Sequence, residues 1–305
     1  MGVVEYLDKK PLFYTKIDYE RMPRVYAKIE HLLSVQNVIH VVGTNGKGST
    51  GKFLANALFS AGKSVLHYSS PHILSFNERI NINKKDVSDD ALQEAHNFLM
   101  VHLSKNDADS LSYFEYTTLL ALVLAKDVQY VVLEAGLGGE YDATNVVKKT
   151  LSIFTPISID HQGFLGSSIE DIATTKLNSM STIALLAPQE SEIVYEIAKK
   201  ISIQKKVQLY RYSELIDVKV VTSTLPPFLN DNLQVAKAAF KLLGFQDVHK
   251  HFSDLKLFGR LEKISNNVTI DVGHNEAAAK VIANFYSGKK VVLIYNTFGD
   301  KDYRA

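Results

Sequence analysis

His40-Val-Val-Gly-Thr-Asn-Gly-Lys-Gly-Ser-Thr50 is the stretch of sequence that decides the fold of this chain. The apolar residues 38–42 predict a strand, the Gly-Lys-Gly sequence predicts a tight turn, and an amphipathic pattern after it predicts a helix. The backbone N–H groups of such a turn converge on one point, where the N-terminus of the helix adds partial positive charge. Lys47 supplies a full charge, and Ser49 or Thr50 offers a hydroxyl group to Mg²⁺. The stretch therefore predicts a binding site for phosphate groups.

The spelling of this turn differs from the common P-loop pattern. The pattern G-x-x-x-x-G-K-[ST] requires glycine at position 41 and serine or threonine at position 48, where this chain has Val41 and Gly48. An ordinary strand–turn–helix junction with a surface lysine is the alternative interpretation of one short motif. The rest of the chain has to decide between the two.

The composition is that of an ordinary globular protein. Its 305 residues correspond to about two domains, and a hydrophobic fraction of 46% is sufficient for buried cores. The 34 basic and 33 acidic residues nearly cancel, so no surface for nucleic acid is indicated. The absence of cysteine excludes disulfides and thiolate metal sites. No segment resembles a signal sequence or a membrane span, so we expect a cytoplasmic protein without nucleic-acid or membrane partners.

Strand-like and helical segments alternate along the chain. Apolar runs predict strands at residues 38–42, 64–68, 128–133, 151–159, 183–186 and 207–212. Between them, amphipathic patterns predict helices, among them residues 89–102 after an N-cap at Ser88. This alternation predicts an α/β fold with a mostly parallel P-loop sheet flanked by helices. Ligands of such sheets bind at the carboxyl ends of the strands.

A smaller unit follows this sheet domain. We expect residues 1–255 to form the central domain and residues 256–305 to form a smaller Rossmann-like α/β domain. In the second domain, residues 268–295 predict one strand–helix–strand unit, with its last strand at 290–295. One such unit is a thin domain because few elements share its core. The C-terminal domain therefore looks incomplete.

Polar side chains stand at the ends of two predicted strands. Glu134 follows the strand at 128–133, and an acid in this place commonly holds Mg²⁺ beside a phosphate-binding loop. His161, after the strand at 151–159, is able to ligate a metal through one ring nitrogen. The alternatives are a capping or salt-bridged glutamate and a surface histidine, and only for Glu134 does the nearby turn favour the metal. Lys176 lies in a predicted helix, where a solvated lysine is the usual interpretation.

Three further residues carry groups that can bind ligands. The hydroxyl group of Ser70, after the strand at 64–68, can reach Mg²⁺ or a substrate, although Ser-Ser-Pro is also a common strand exit. Arg260 suits bidentate contact with phosphate, and its alternative role is an ion pair in a linker. Asp271 can bind a ribose or an amine.

Together these residues resemble the folylpolyglutamate synthase/dihydrofolate synthase family, which is related to the Mur cell-wall ligases. Five blocks match in order. They are Gly43-Thr-Asn-Gly-Lys-Gly-Ser49; Ser70-Pro-His72 with Phe76-Asn-Glu-Arg79; Glu134-Ala-Gly-Leu-Gly-Gly139 with Asp142-Ala-Thr-Asn145; Asp160-His161 with Phe164-Leu-Gly166; and Gly259-Arg260 with Asp271 and His274-Asn275. These blocks span residues 43 to 275, which is nearly the whole chain.

The resemblance implies an ATP-dependent amide ligase of folate biosynthesis and polyglutamylation. Members of the family phosphorylate a carboxylate of a pteroate or folate substrate with ATP, and the amine of L-glutamate then attacks the acyl phosphate. A carboxylate is a poor electrophile until one of its oxygens becomes a leaving group, so charge at the γ-phosphate has to be neutralised. The implied ligands are ATP, two Mg²⁺ ions and small-molecule substrates, bound by a monomer.

The resemblance also assigns roles to individual residues. ATP would be bound by Thr44, Asn45, Gly46, Lys47, Gly48, Ser49, Arg260 and Asp271. Mg²⁺ would be held by Ser49, Ser70, Glu134 and His161. The catalytic residues would be Lys47, Lys176 and His161, with Lys176 carbamylated. The substrates would lie against Ser112, Phe114, Tyr141, Asp142, Ala143 and His274.

The chain departs from the family pattern in several places. Glu140 stands where members usually have arginine, and Leu177-Asn178-Ser179 replaces the usual Ala-Gly-Ile after the lysine. The usual His-Gln-x-x-Asn-Ala stretch is Asp231-Asn232-Leu233-Gln234-Val235-Ala236 here, without the nucleotide-contacting asparagine. The C-terminal domain of members is also normally longer. Two alternatives stay open: a ligase of the same fold for another carboxylic acid, and a nucleotide-binding module without full activity.

Overall fold

The structure is a computed structural model that describes residues 2–12, 18–216, 225–253, 256–273 and 275–296. In these residues the strands are β1 (Val38–Val42), β2 (Val65–Tyr68), β3 (Ile80–Ile82), β4 (Lys85–Asp86), β5 (Tyr130–Glu134), β6 (Leu151–Phe154), β7 (Ile183–Leu186), β8 (Gln208–Arg211), β9 (Glu262–Lys263) and β10 (Thr269–Ile270). The α-helices are α1 (Val3–Asp8), α2 (Arg21–Ile29), α3 (Lys47–Ser60), α4 (Asp89–His102), α5 (Lys105–Ser110), α6 (Tyr113–Leu124), α7 (Gln162–Leu165), α8 (Ile169–Leu177), α9 (Glu192–Lys205), α10 (Pro227–Leu242), α11 (Val248–His251) and α12 (Glu276–Phe285). None of the helices in these ranges has the length and apolar character needed to cross a bilayer.

One large sheet organises the described part of the chain, with the strand order β4-β3-β2-β5-β1-β6-β7-β8. The strands β2, β5, β1, β6, β7 and β8 run parallel, and β3 and β4 add an antiparallel edge. In the central strand β1, Ile39 pairs with Val132 of β5 and with Leu151 of β6. A parallel strand covered on both faces is continuously apolar, as β1 is except at His40. The predicted α/β fold with a mostly parallel sheet is confirmed.

Helices cover both faces of this sheet. On one face α3 packs against α10, where Phe53, Leu54 and Leu233 share a core with Val41 of β1. On the other face α1, α2, α4 and α6 pack around β2, and α8 and α9 cover β6 and β7. Each fully buried leucine or phenylalanine contributes about 1.5–3 kcal/mol to folding. Packing therefore holds α3 firmly in place behind the turn that precedes it.

Several strands differ in their ends from the predicted ones, and the differences at the carboxyl ends of β5 and β6 matter for the site. The strand β6 ends at Phe154 instead of residue 159 because Pro156 has no N–H group to give to a neighbouring strand. The strand β5 runs one residue further than predicted, so that Glu134 is its last residue and pairs with Val41. The carboxylate of Glu134 therefore projects from the rigid sheet.

A second, small sheet of β9 and β10 with α12 follows α11 in the described residues. The predicted strand at residues 290–295 is wrong, because no described strand pairs with it and Val292 and Ile294 are 92% and 94% exposed. A strand needs a neighbour that takes up its backbone hydrogen bonds. The division between residues 255 and 256 stays a prediction, since residues 254 and 255 lie outside the described ranges.

Candidate active site

Glycines shape the phosphate turn, as we call residues 43–49 between β1 and α3. Gly46 precedes α3 with a φ of +83°, a backbone conformation that favours glycine. A Cβ atom at Gly46 would lie 2.4 Å from Oδ1 of Asn232, and one at Gly43 would lie 2.0 Å from Oγ1 of Thr155. A side chain at Gly43 would meet both the side chain and the backbone of Thr155, and one at Gly46 would require Asn232 to move, so the turn is closely enclosed.

Thr44 holds the phosphate turn to the loop that follows β6. Its N–H group donates to the carbonyl oxygen of Pro156 at 2.9 Å. Its hydroxyl group donates to the carbonyl oxygen of Ser158 and accepts from the N–H group of the same residue, both at 3.0 Å. Thr44 thus lies in the turn as predicted, with its hydroxyl group committed to the neighbouring loop.

Lys47 is folded back over the phosphate turn. Its Nζ atom donates to the carbonyl oxygens of Gly43 and Thr44 at 3.2 and 3.1 Å. Phosphate oxygens carry more charge than carbonyl oxygens and make stronger hydrogen bonds with an ammonium group. A bound phosphate is therefore expected to draw Lys47 away from these carbonyls.

Glu134 brings a buried carboxylate to the same place. It is 5% exposed, and its Oε2 accepts a hydrogen bond from the N–H group of Ser70 at 3.2 Å. The same oxygen lies 3.2 Å from the position of a Cβ atom at Gly48. Burial raises the pKa of Glu134, and the positive charges of Lys47 and Arg260 oppose this rise. A cation beside the carboxylate is thus favourable, and carboxylate and hydroxyl oxygens are the ligands that Mg²⁺ prefers.

One cleft of about 390 Å³ contains the predicted metal ligands of three segments. Ser49 of α3, Ser70 after β2 and Glu134 of β5 line it, together with Arg260 and Phe258 from the C-terminal part of the chain. A cleft of this size is in the range of ligand sites. The structure therefore brings Ser49, Ser70 and Glu134 together, and this set of oxygen donors fits a Mg²⁺ ion.

His161, the fourth predicted metal ligand, lies at the start of α7. Its side chain is 37% exposed, and its Nε2 atom lies 3.8 Å from Oδ2 of Asp160. Within the described ranges, no three His, Asp or Glu side chains form a group that could hold a metal. The part of His161 as a metal ligand therefore stays a prediction.

Lys176 is buried beneath the phosphate turn. It is 4% exposed, and its Nζ atom donates to the carbonyl oxygen of Gly43 at 2.9 Å. Burial, followed by the charge of Lys47, lowers the pKa of Lys176 to about 7. A large share of this amine is therefore uncharged and nucleophilic at neutral pH. The alternative of a solvated helix lysine is wrong.

Arg260 and Asp271 lie at one corner of the small sheet. Burial lowers the pKa of Arg260, whereas the charges of Asp271 and Glu134 oppose this shift. The carboxylate of Asp271 accepts hydrogen bonds from the N–H groups of Leu261 at 2.8 Å and Gly273 at 2.6 Å. Asp271 therefore fixes the backbone next to Arg260, and its direct contact with ATP stays a prediction.

The helix α12 touches the phosphate turn through Asn275, which belongs to the fifth block but was given no role in the sequence analysis. Its Nδ2 atom donates to Oδ1 of Asn45 at 2.9 Å and to Oδ2 of Asp160 at 3.5 Å. Its Oδ1 atom caps α12 by accepting from the N–H group of Ala278 at 2.9 Å. The signals in the sequence for this residue are its place in the fifth block and its N-cap position before a predicted helix.

Two of the predicted substrate residues present aromatic rings. Phe114 packs against the backbone of Gly136, where a Cβ atom would lie 2.6 Å from the ring, and lies 5.8 Å from the ring of Tyr68. Tyr141 is 55% exposed and lies over Tyr19, with 4.2 Å between the ring centroids. Exposed aromatic rings are suited to stacking on a planar heterocycle.

Ser112 uses its hydroxyl group to cap α6. The hydroxyl accepts from the N–H group of Glu115 at 3.3 Å, and Oε2 of Glu115 accepts from the N–H group of Ser112 at 2.7 Å. Glu115 is also paired with Arg21, at 2.9 Å between Nη2 and Oε2. Ser112 therefore positions the start of α6, and its contact with a substrate stays a prediction.

Asp142 holds the loop after β5 together. Its carboxylate accepts hydrogen bonds from the N–H groups of Leu137 at 2.8 Å and Thr144 at 2.9 Å. Asp142 and Ala143 are both buried, so their role toward a substrate stays a prediction. His274, the last predicted substrate residue, lies outside the described residues.

The departures from the family pattern have structural partners. Nδ2 of Asn178 donates to Oε2 of Glu140 at 2.8 Å, so two of the unusual residues pair with each other. In the stretch 231–236, the position where family members have asparagine is Val235. In this chain the amide side chain of Asn232 lies against Gly46 of the phosphate turn instead. These contacts join residues that are far apart in the sequence, so the sequence order does not reveal them.

The chain also matches known proteins along its length. Residues 41–224 match the Mur ligase middle domain. The dihydrofolate synthase/folylpolyglutamate synthase of Haemophilus influenzae is 30% identical, in an alignment that covers 98% of this chain and 77% of that protein. The chain belongs to the dihydrofolate synthase/folylpolyglutamate synthase family. The family predicted from the five sequence blocks is thereby confirmed.

Solved structures of family members share the fold. The crystal structure of Helicobacter pylori folylpolyglutamate synthetase is 42% identical, with a TM-score of 0.82, and the match covers 99% of this chain and 79% of that one. The bifunctional folylpolyglutamate synthase/dihydrofolate synthase of Yersinia pestis, complexed with AMPPNP and a Mn ion, is 26% identical with a TM-score of 0.79. That match covers 94% of this chain and 75% of the Yersinia chain. Family members therefore include a protein that binds a nucleotide and a divalent metal together.

Proposed function

We propose that this protein is an ATP-dependent amide ligase that adds L-glutamate to dihydropteroate, to a reduced folate, or to both. The observation that carries the proposal is the buried carboxylate of Glu134, which lies between the N–H group of Ser70 and the phosphate turn at Gly48. A divalent metal held by such a carboxylate would lie directly beside the phosphates of ATP bound in the turn.

The first step joins two anions, so neutralising their charge is the main task. The substrate carboxylate attacks the γ-phosphorus of ATP, the bond to the bridging oxygen breaks, and ADP leaves. Lys47 and Arg260, whose charges act on Glu134, supply positive charge where the transferred phosphoryl group becomes more negative. A Mg²⁺ ion held by Ser49, Ser70 and Glu134 would supply further charge neutralisation.

The second step forms the amide. The uncharged amine of L-glutamate attacks the acyl carbon, and inorganic phosphate leaves with the electron pair of the broken carbon–oxygen bond. The nitrogen releases one proton, which the leaving phosphate or water takes up. Water competes with the amine for the acyl phosphate, so a site that excludes water favours the amide. The deep burial of Ser49 and Glu134 next to the phosphate turn is consistent with such a site.

We also propose that Lys176 is carbamylated by CO₂. The reaction requires an uncharged amine, which is supported by the pKa of Lys176 of about 7 that its burial causes. Native mass spectrometry of the wild type in bicarbonate buffer is expected to show the added mass of one CO₂. The Lys176→Gln variant is expected to show no added mass. An unchanged mass at high bicarbonate concentration would contradict the modification.

Three finer points belong to the same proposal. The protein is expected to act as a monomer in the cytoplasm and to bind two Mg²⁺ ions in its active site during turnover. Sedimentation velocity tests the monomer, fractionation of cells tests the cytoplasm, and the Mg²⁺ dependence of the rate tests the second ion.

Phosphate release under systematic omission of substrates is the direct experiment. With ATP, Mg²⁺, L-glutamate and either dihydropteroate or tetrahydrofolate, phosphate is expected only when every component is present. Comparison of the rates with dihydropteroate and with tetrahydrofolate shows whether the protein adds L-glutamate to one of these substrates or to both. Phosphate release that does not depend on the pterin would overturn the proposal, and release that requires another carboxylic acid would support a ligase of different specificity.

A further inference from the structure

We propose that His40 is a positioning residue for the pterin substrate, because it ties the loop of Tyr141 and Asp142 to the strand that carries the phosphate turn. This inference rests on the proposed function. His40 is the one polar residue in the otherwise apolar strand β1, and the sequence analysis gave it no role.

A buried chain of hydrogen bonds starts at His40. The histidine is fully buried, and its Nε2 atom lies 2.8 Å from Oγ1 of Thr144, which is also fully buried. The hydroxyl group of Thr144 donates to Oδ1 of Asp142. A hydroxyl group has one hydrogen, so Thr144 has to accept its other hydrogen bond from His40, whose Nε2 carries the proton.

The chain of hydrogen bonds ends in the loop after β5. The carboxylate of Asp142 also accepts from the N–H groups of Leu137 and Thr144, and so it draws both sides of the loop together. Tyr141, whose exposed ring is suited to stacking on a pterin, precedes Asp142 directly. The position of that ring therefore depends on the hydrogen bond between Thr144 and His40 of β1.

At its other end the same strand leads into the phosphate turn. His40 is three residues before Gly43, and it pairs with Leu133 of β5. The rigid strand thus fixes the position of the loop that is expected to hold the pterin relative to the turn that is expected to hold ATP. The carboxylate of the pterin substrate and the γ-phosphate of ATP have to meet in a fixed geometry. The position of the loop relative to the turn therefore affects binding of the pterin.

General packing does not explain a histidine at this position. Its Nδ1 atom has no hydrogen-bond partner among the described residues, although it is buried. An apolar side chain would pack on the same face with Val38 and Val42 without leaving a polar atom unpaired. Burial, with a smaller effect of the charge of Lys149, lowers the pKa of His40 to about 3, so the ring stays neutral and keeps one donor for Thr144.

The test measures the KM for the pterin and the KM for ATP separately by steady-state kinetics. Thr144→Val removes the hydroxyl group at almost constant volume, and with it the hydrogen bonds to His40 and Asp142. Because two buried hydrogen bonds are lost, the KM for the pterin is expected to rise about tenfold or more. The KM for ATP is expected to stay unchanged. Thr144→Ser keeps the hydroxyl group and is expected to restore the KM for the pterin, and His40→Gln is expected to act less severely than His40→Leu.

A control variant and a binding measurement complete the test. Ser202→Ala removes another buried hydroxyl group, which bonds to the carbonyl of Lys199 in α9, and is expected to leave both KM values unchanged. Fluorescence titration with dihydropteroate measures pterin binding without turnover, and circular dichroism shows whether each variant is folded. Folded Thr144→Val with wild-type pterin affinity, or with equal losses for ATP and pterin, would overturn the inference alone. A wild-type protein that binds no pterin would overturn the proposed function and the inference with it.

Discussion

Replacement of Lys176 by methionine is expected to stabilise the fold while it abolishes turnover. The pKa of this buried amine falls from 10.5 to about 7. At about 1.4 kcal/mol for each pH unit, the difference corresponds to about 5 kcal/mol, which is the upper limit of the free energy that the charged amine costs the folded state. Methionine has a similar length without a charge and adapts to irregular space. The hydrogen bond to the carbonyl of Gly43 is lost, which offsets about 1 kcal/mol of the gain.

The gain depends on pH with a definite sign. Between about pH 7 and pH 10 the unfolded chain keeps the proton of Lys176 while the folded chain has lost it. The free energy of unfolding of the wild type therefore rises with pH in this window, by about 1.4 kcal/mol for each pH unit from this group. The methionine variant lacks this contribution. Its advantage is expected to be about 2 kcal/mol at pH 8, after subtraction of the hydrogen bond, and to vanish near pH 10.

Urea unfolding followed by circular dichroism measures this difference. Wild type and Lys176→Met are compared at several pH values in CO₂-free buffer, so that carbamylation does not contribute. Lys200→Met, which changes an exposed lysine of α9, is the matched control and is expected to show no such trend. A stability difference between wild type and Lys176→Met that is the same at every pH would refute the argument from burial.

Three further variants test the phosphate turn and the metal ligands. Lys47→Ala is expected to lower the rate of phosphate release by a factor of about 10² or more, because charge on the transferred phosphoryl group is no longer neutralised; near-normal steady-state rates would contradict this role. Glu134→Gln is expected to raise the Mg²⁺ concentration for half-maximal rate about tenfold or more, and a wild-type metal titration would exclude it as a ligand. Gly46→Ala forces a side chain into the left-handed conformation, at a cost of about 1–2 kcal/mol, and against Asn232. Calorimetry is expected to show weaker ATP binding that Asn232→Ala partly restores, whereas unchanged affinity would speak against the enclosed turn.

Local patterns in the sequence were sufficient for the framework of the protein. The apolar strand at 38–42, the glycines of the turn and the helix after it follow from propensities that act over a few residues. The alternation of such segments predicted the parallel sheet, and the five blocks predicted the family. The wrong strand at 290–295 shows the limit of the method, because apolar periodicity does not tell whether a strand has a neighbour.

Contacts between distant segments were decided by the tertiary structure alone. The sequence indicated Glu134 as a candidate metal ligand, but only the register of β5 beside β1 places its carboxylate against the phosphate turn. The pairing of Glu140 with Asn178 and the contact of Asn275 with Asn45 likewise join residues that are far apart in the chain.

The sequence by itself predicted the strands and helices, the phosphate turn and the family, because each is encoded in short local patterns. Only the tertiary structure decided the chemical state of the site. Lys176 is an ordinary lysine in the sequence, and its pKa falls to about 7 because the fold buries the amine under Gly43 and near Lys47. His40 is one histidine in a strand, and its link to Thr144 exists because the loop after β5 folds back over β1. Burial and electrostatic interaction depend on distances in space, which only the packed chain defines.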